Sequence, residues 1–252
     1  MGTYHSTRGR TLSCSSKEAI RKGIASDGGL FVSDDLGSTS IDIAHIADKT
    51  YFDLARDVLG VLLNDYTPEE ISACVSEAYE GTFTSDEVTP LVALKHAPGK
   101  TDGGCGDATP THVMELFGGP TSAFKDVALQ MLPRLMARTS AADDAVASAG
   151  ADERIMIVTA TSGDTGKAAL AGFADAAGCG ITVFYPEGKV SRVQNLQMST
   201  QEGDNVAVCG VRGNFDDAQS AVKRIFGDKE LNERLNAAGT ILSSANSINV
   251  GR

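Results

Sequence analysis

The sequence predicts an α/β protein whose second half is a parallel sheet covered by helices on both faces. Three observations predict it. Short apolar runs at residues 155–158, 181–185, 206–211 and 240–242 have the length and composition of buried strands. Stretches of helical length separate them, and that alternation marks βαβ crossovers. A small-residue loop, Thr161-Ser162-Gly163-Asp164-Thr165-Gly166, directly follows the first of these strands and opens a helix.

Taken in order, Ser15-Ser16-Lys17-Glu18 opens a short helix, with Ser15 and Glu18 at the spacing of a capping box. Asp27-Gly28-Gly29 makes a turn before the apolar Leu30-Phe31-Val32. From residue 51 to 64, Phe52, Leu54, Ala55, Val58, Leu59 and Leu62 fall at helical spacing. Thr67 caps a further helix through about Glu80, with Pro68 at its first position. Thr89-Pro90-Leu91-Val92-Ala93-Leu94 reads as a strand, whereas residues 97–112 and 140–152 read as surface insertions rich in small and polar residues. The helix after the glycine loop runs to about Ala177 and is stopped by Gly178-Cys179-Gly180. Pro186 ends the next strand, and helices from about Ser191 and from about Phe215 to Phe226 flank the strand at 206–211. The expected division is a smaller N-terminal domain over residues 1–89 and a sheet domain over 90–252.

At 252 residues the chain has room for one or two domains. With 22 Lys+Arg against 33 Asp+Glu, its net charge is −11. So acidic a surface argues against a general nucleic-acid or anionic-membrane binder, while still permitting a small anion in a locally basic pocket. No apolar run approaches the ~20 residues that span a bilayer, and no apolar leader is visible. Five scattered cysteines without CxxC, and four unclustered histidines, support neither a disulfide framework nor a metal site. The chain reads as cytoplasmic and reduced.

Three segments carry chemistry. In a parallel sheet, ligands sit where strands end and helices begin. The loop at Thr161–Gly166 has glycines that allow close approach, and amides that with the helix dipole hold a phosphate or carboxylate. Ser162 or Asp164 acting only as a helix cap is the equal alternative, and Asp164 would repel an anion it faced. A Walker A loop is excluded, because Thr161 stands where glycine is required and Ala168 follows Lys167. In Glu115-Leu116-Phe117-Gly118-Gly119-Pro120-Thr121-Ser122-Ala123-Phe124-Lys125-Asp126, the cap types Thr121 and Ser122 lead into a helix. That helix is expected to place Phe124, Ala128, Met131 and Leu135 on one face, with Lys125 in its first turn. The positive helix end disfavours an ammonium there and, with burial, would favour the neutral amine needed for a Schiff base; a lysine simply reaching solvent is the other reading. The third segment, Ser243-Ser244-Ala245-Asn246-Ser247-Ile248-Asn249-Val250-Gly251-Arg252, sets a guanidinium beside hydroxyls and amides, a set suited to an anion as well as to a turn.

Together and in this order, the three segments resemble threonine synthase, a fold-type-II pyridoxal-phosphate enzyme of the tryptophan synthase β-like class. Ser6-Thr7-Arg8-Gly9 and Asp27-Gly28-Gly29-Leu30-Phe31 resemble that family's N-terminal domain. The resemblance implies that Lys125 is catalytic and carries pyridoxal 5'-phosphate, with Phe124, Ser162, Gly163, Asp164 and Thr165 as further cofactor contacts. It implies that Thr161, Ser162, Thr165, Asn246, Ser247 and Arg252 bind O-phospho-L-homoserine, which the enzyme converts with water to L-threonine and phosphate. Gly118 stands where the family usually has histidine and Val250 where an aromatic is common. Family members are nearly twice as long, and their cradle for the cofactor phosphate lies beyond the matching region. The chain is therefore expected to be an N-terminal fragment, inactive alone. A non-catalytic anion- or nucleotide-binding α/β module, or another fold-type-II lyase, is the alternative.

Overall fold

The structure, a computed structural model, describes residues 3–94, 111–139 and 154–245. The N-terminal part comprises β1 (Tyr4–Ser6), β2 (Gly9–Cys14), α1 (Ser16–Lys22), β3 (Phe31–Ser33), α2 (Ile43–Ile46), α3 (Tyr51–Leu62) and α4 (Pro68–Tyr79). Then come β4 (Leu91–Ala93), β5 (His112–Met114), α5 (Asp126–Met136), β6 (Arg154–Ala160), α6 (Asp164–Phe173) and β7 (Cys179–Pro186). The chain continues through α7 (Arg192–Ser199), β8 (Val206–Val211), α8 (Phe215–Gly227), α9 (Lys229–Ala237) and β9 (Thr240–Ser243).

The first three strands form an antiparallel sheet in the order β2-β1-β3. The Asp27 turn that feeds β3 is a hydrogen-bonded knot. Its carboxylate accepts from the Ser6 hydroxyl at 2.7 Å and the Gly29 N–H at 2.8 Å, and these bonds hold its pKa below the ordinary value. Glycine at 29 is a steric requirement, because a Cβ there would lie 2.0 Å from Ser6 Oγ. Ser15 caps α1 by accepting from the Glu18 N–H at 3.2 Å. The reciprocal half of the expected box is not made: the Glu18 carboxylate turns to Lys22 instead, one turn along the same face. Around α4 the box is complete, with Glu70 N–H to Thr67 Oγ1 at 3.2 Å and Thr67 N–H to Glu70 Oε2 at 2.9 Å. This helix buries Ile71, Cys74, Val75, Ala78 and Tyr79 against α5. Two tyrosines secure the contact, Tyr66 donating to the Leu135 carbonyl at 3.1 Å and Tyr79 to that of Val127 at 3.0 Å.

The buried side of α5 departs from the expected face. Met131 and Leu135 are buried, together with Leu129, Leu132 and Met136, but Ala128 is exposed and Phe124 precedes the helix, 57% exposed. Pro133 lies inside α5 and has no N–H to give the Leu129 carbonyl one turn back. Gly172 of α6 closes on that carbonyl so tightly that a Cβ would come within 2.1 Å of it. Arg134 then donates to the Gly172 carbonyl at 3.0 Å. The small residues of α6 are thus the means by which two helices approach backbone to backbone.

The main sheet is parallel, in the order β8-β7-β6-β9. Helices α6 and α7, in the crossovers between β6, β7 and β8, pack on each other, and α8, in the return from β8 to β9, packs on β6 and β7. The central strand β6 buries Ile155, Ile157, Val158 and Thr159, as a strand covered on both faces should. Strand order reverses beside β6, so the carboxyl ends of β6 and β9 lie next to each other. Two boundaries differ from expectation: α6 ends at Phe173, and β7 already begins at Cys179. Helix α9 carries no expectation from the sequence, and β5, paired with β4, falls at the end of a stretch read as insertion. Residues 97–110 and 140–152 lie outside the described residues.

Candidate active site

The loop after β6 is organised by its first residue. Thr161 is 2% exposed, and its hydroxyl accepts from the Gly163 N–H at 3.0 Å and the Gly166 N–H at 2.9 Å while donating to the Gly163 carbonyl at 3.2 Å. That hydroxyl, expected to meet substrate, is engaged by the loop itself. Gly163 is the N-cap of α6 at φ +149° and has no side chain to cap with, so the first-turn Gly166 N–H is met by Thr161 instead. Neither Ser162 nor Asp164 therefore serves as the cap. A Cβ on Gly163 would lie 2.4 Å from the Gln194 amide nitrogen. Asp164, which would have repelled an anion, is turned to α7, where Gln194 Nε2 donates to it at 2.9 Å. Ser162 is exposed and Thr165 half-buried.

The turn before α5 is built around a fully buried carboxylate. Asp126 accepts from the Thr121 N–H at 2.8 Å and the Thr121 hydroxyl at 2.6 Å. Thr121 and Ser122 were expected to cap the helix, but α5 starts later, at Asp126, and Lys125 itself occupies the N-cap position. Gly119 is obligatory, since a Cβ there would lie 2.5 Å from that of Asp126. At Gly118 a Cβ would come within 2.8 Å of Thr84 Oγ1, so a histidine in its place would have to displace the Thr84 side chain. Lys125 is half-buried. Among the described residues its amine has no hydrogen bond or ion pair, only the Phe124 ring, whose centroid is 4.9 Å away.

The third segment begins at the end of β9, where Ser243 and Ser244 are buried beside the α1 C-cap. A Cβ on Gly23 would stand 3.0 Å from Ser243 Oγ and from the Ser244 backbone. The expected substrate ligands Asn246, Ser247 and Arg252, and the departure at Val250, lie outside the described residues.

Sequence reasoning missed the connection between the first two segments. Lys167, considered there only within a failed phosphate-loop pattern, is buried; it donates to the Thr121 carbonyl and, at 2.8 Å, to Gln197 Oε1. The legible signal was the pair Gln194 and Gln197, three apart on one helix face opposite α6. The site thus has an unengaged primary amine at the start of α5, fastened to a loop at the carboxyl end of the central strand. An amine attacks an aldehyde or ketone, and amides at a helix start receive an anion. The Cys14, Cys74 and Cys179 thiols offer no competing nucleophile, because burial pushes each of them up to about 11.

Residues 3–79 match the family described as "Threonine synthase N terminus". The threonine synthase of Saccharomyces cerevisiae is 36% identical over 256 residues, covering 99% of this chain and 46% of that protein. Over nearly its whole length the chain is similar to threonine synthases. Two solved structures agree with the comparison. A PLP-bound threonine synthase from Brucella melitensis is 38% identical with a TM-score of 0.76, over 99% of this chain and 48% of that one. The yeast threonine synthase structure is 36% identical with a TM-score of 0.79, over 98% and 46%. The fold is that of these fold-type-II proteins, and the chain spans about half the length of the relatives it matches.

Proposed function

We propose that the chain is the N-terminal part of a pyridoxal-phosphate-dependent threonine synthase, converting O-phospho-L-homoserine and water to L-threonine and phosphate. The observation that carries this reading is the Lys125 amine, half-buried at a helix start and without a hydrogen-bonding partner among the described residues. The residues present fit the cofactor. Lys125 offers the primary amine its aldehyde requires, and the Phe124 ring beside it offers an aromatic face. Ser162, Gly163, Asp164 and Thr165 stand at the carboxyl end of the central strand, where the fold class places ligands. When bound, pyridoxal phosphate supplies an electron sink.

Lys125 would hold the cofactor through its amine and would move protons at the substrate Cα and the neighbouring carbons. Phosphate leaves from Cγ, and water adds at Cβ. Ser162 and Thr165 would bind the substrate, while Thr161 sets the shape of the loop that presents them. Asn246, Ser247 and Arg252 are assigned to the substrate by resemblance alone. The division at 89/90 into two domains and a cytoplasmic location are part of the same reading. No described helix is long and apolar enough to cross a membrane.

Titration with pyridoxal phosphate, borohydride reduction and peptide mapping test the assignment. The pyridoxyl adduct is expected on Lys125, with visible absorbance lost in Lys125→Ala. An adduct confined to Lys167 or Lys95, or none at all with a nucleotide bound instead, would overturn it.

A further inference from the structure

Lys17 and Lys167 are both buried to 7% exposure, but they are neutralised differently. The Lys17 ammonium meets both carboxylate oxygens of Glu70 at 2.9 Å and lies 4.8 Å from the Tyr66 ring centroid. Both acceptors of Lys167, the Thr121 carbonyl and the Gln197 side-chain oxygen, are neutral. Among the described residues no carboxylate pairs with it; burying an ammonium without a counter-charge is costly, so an apolar side chain would pack α6 with less penalty. The geometry around Thr121 shows what the cation does. The peptide between Thr121 and Ser122 presents its carbonyl to Lys167 and its N–H to the Gly119 carbonyl, at 3.1 Å. The next residue, Ser122, has φ +56°, a left-handed conformation that a non-glycine residue holds only under constraint from its surroundings. On its other side Thr121 grips Asp126, immediately after Lys125.

We propose that Lys167 is the positioning residue of this site: its ammonium pins the Thr121 peptide to α6, and so sets the turn that carries Lys125 against the loop at Thr161–Gly166. The proposal rests on the reading of Lys125 given above. Helix α7 supplies the reference for both halves, Gln194 holding Asp164 and Gln197 holding Lys167.

The test is residue-resolved amide exchange on the 252-residue chain, combined with the rate at which pyridoxal phosphate, trapped by borohydride, is incorporated at Lys125. In Lys167→Met, exchange at Thr121 and Ser122 is expected to rise at least tenfold while Gly163 and Gly166 are unchanged. Incorporation at Lys125 is expected to fall at least fivefold. Gln197→Ala should give the same pattern at smaller amplitude, and it is the deciding variant if Lys167→Met does not fold. Acceleration spread evenly over the chain, no local acceleration, or local acceleration with unchanged incorporation would each overturn the proposal. If the unsubstituted protein takes up no label at Lys125, the functional reading fails separately, and exchange at Thr121 still decides whether Lys167 pins that turn.

Discussion

A valine at position 161 would keep the shape of the side chain and remove the hydroxyl that gathers the Gly163 and Gly166 amides. Those donors would be left buried beside a methyl group, and the loss of a buried partner costs about 1–3 kcal/mol. Thr161→Val is therefore expected to lower unfolding free energy by about that amount in urea titrations and to loosen the start of α6. An unchanged midpoint would mean the loop does not depend on this hydroxyl. The residue types at this site were legible from the sequence, and so was the singling out of Lys125. Their directions were not. Thr161 faces inward, Asp164 faces α7, and Thr121 serves Asp126, because each polar group takes the nearest unsatisfied partner that the folded backbone presents.

The turn between α1 and β3 shows the same logic across an element. Its Asp27 carboxylate, held below its ordinary pKa first by the Ser6 hydroxyl and then by the Gly29 N–H, favours the folded state when ionised. A depressed folded-state pKa contributes stability that is present above the unfolded value, here 3.8, and is lost as pH falls toward the lowered one. Asp27→Asn is accordingly expected to melt at a lower temperature than the parent at pH 7, with the gap closing below about pH 4. Parallel thermal melts across that range check it, and a gap independent of pH would assign the loss to shape instead of charge. Most elements could be read from local signals, such as the Thr67-Pro68 start of α4 and the apolar runs that became β6, β7 and β8. Strand β5 escaped because three residues are too few for a periodicity to show, and its pairing partner lies nineteen or more residues away in sequence.

At the scale of the whole molecule, the β4–β5 ribbon exposes a group of apolar side chains among the described residues. Leu91, Leu94 and Met114 are 62%, 51% and 54% exposed, and Phe117 beyond them 60%. A two-stranded ribbon is marginal on its own, and a contiguous apolar patch attracts a partner or causes aggregation. The relatives carry about as much chain again as is present here, which is material enough to cover it. The 252-residue chain is expected to bind an apolar fluorescent dye, and Leu91→Glu with Met114→Lys, opposite charges on directly paired positions, should reduce both dye binding and light scattering. Because these side chains are exposed, the unfolding midpoint should shift by no more than about 0.5 kcal/mol. Undiminished dye binding would place the apolar surface elsewhere.

Periodicity, cap spacing and turn residues act within a few positions along the chain, so fold class and most elements could be read from the sequence by itself. Contacts between distant segments obey no such local rule. That Gly172 meets the carbonyl left bare by Pro133, and that Lys167 reaches across to Thr121, depends on how two helices approach. Such approach is settled by packing over the whole core, where volume and hydrogen bonding are satisfied together, and no window of sequence contains it.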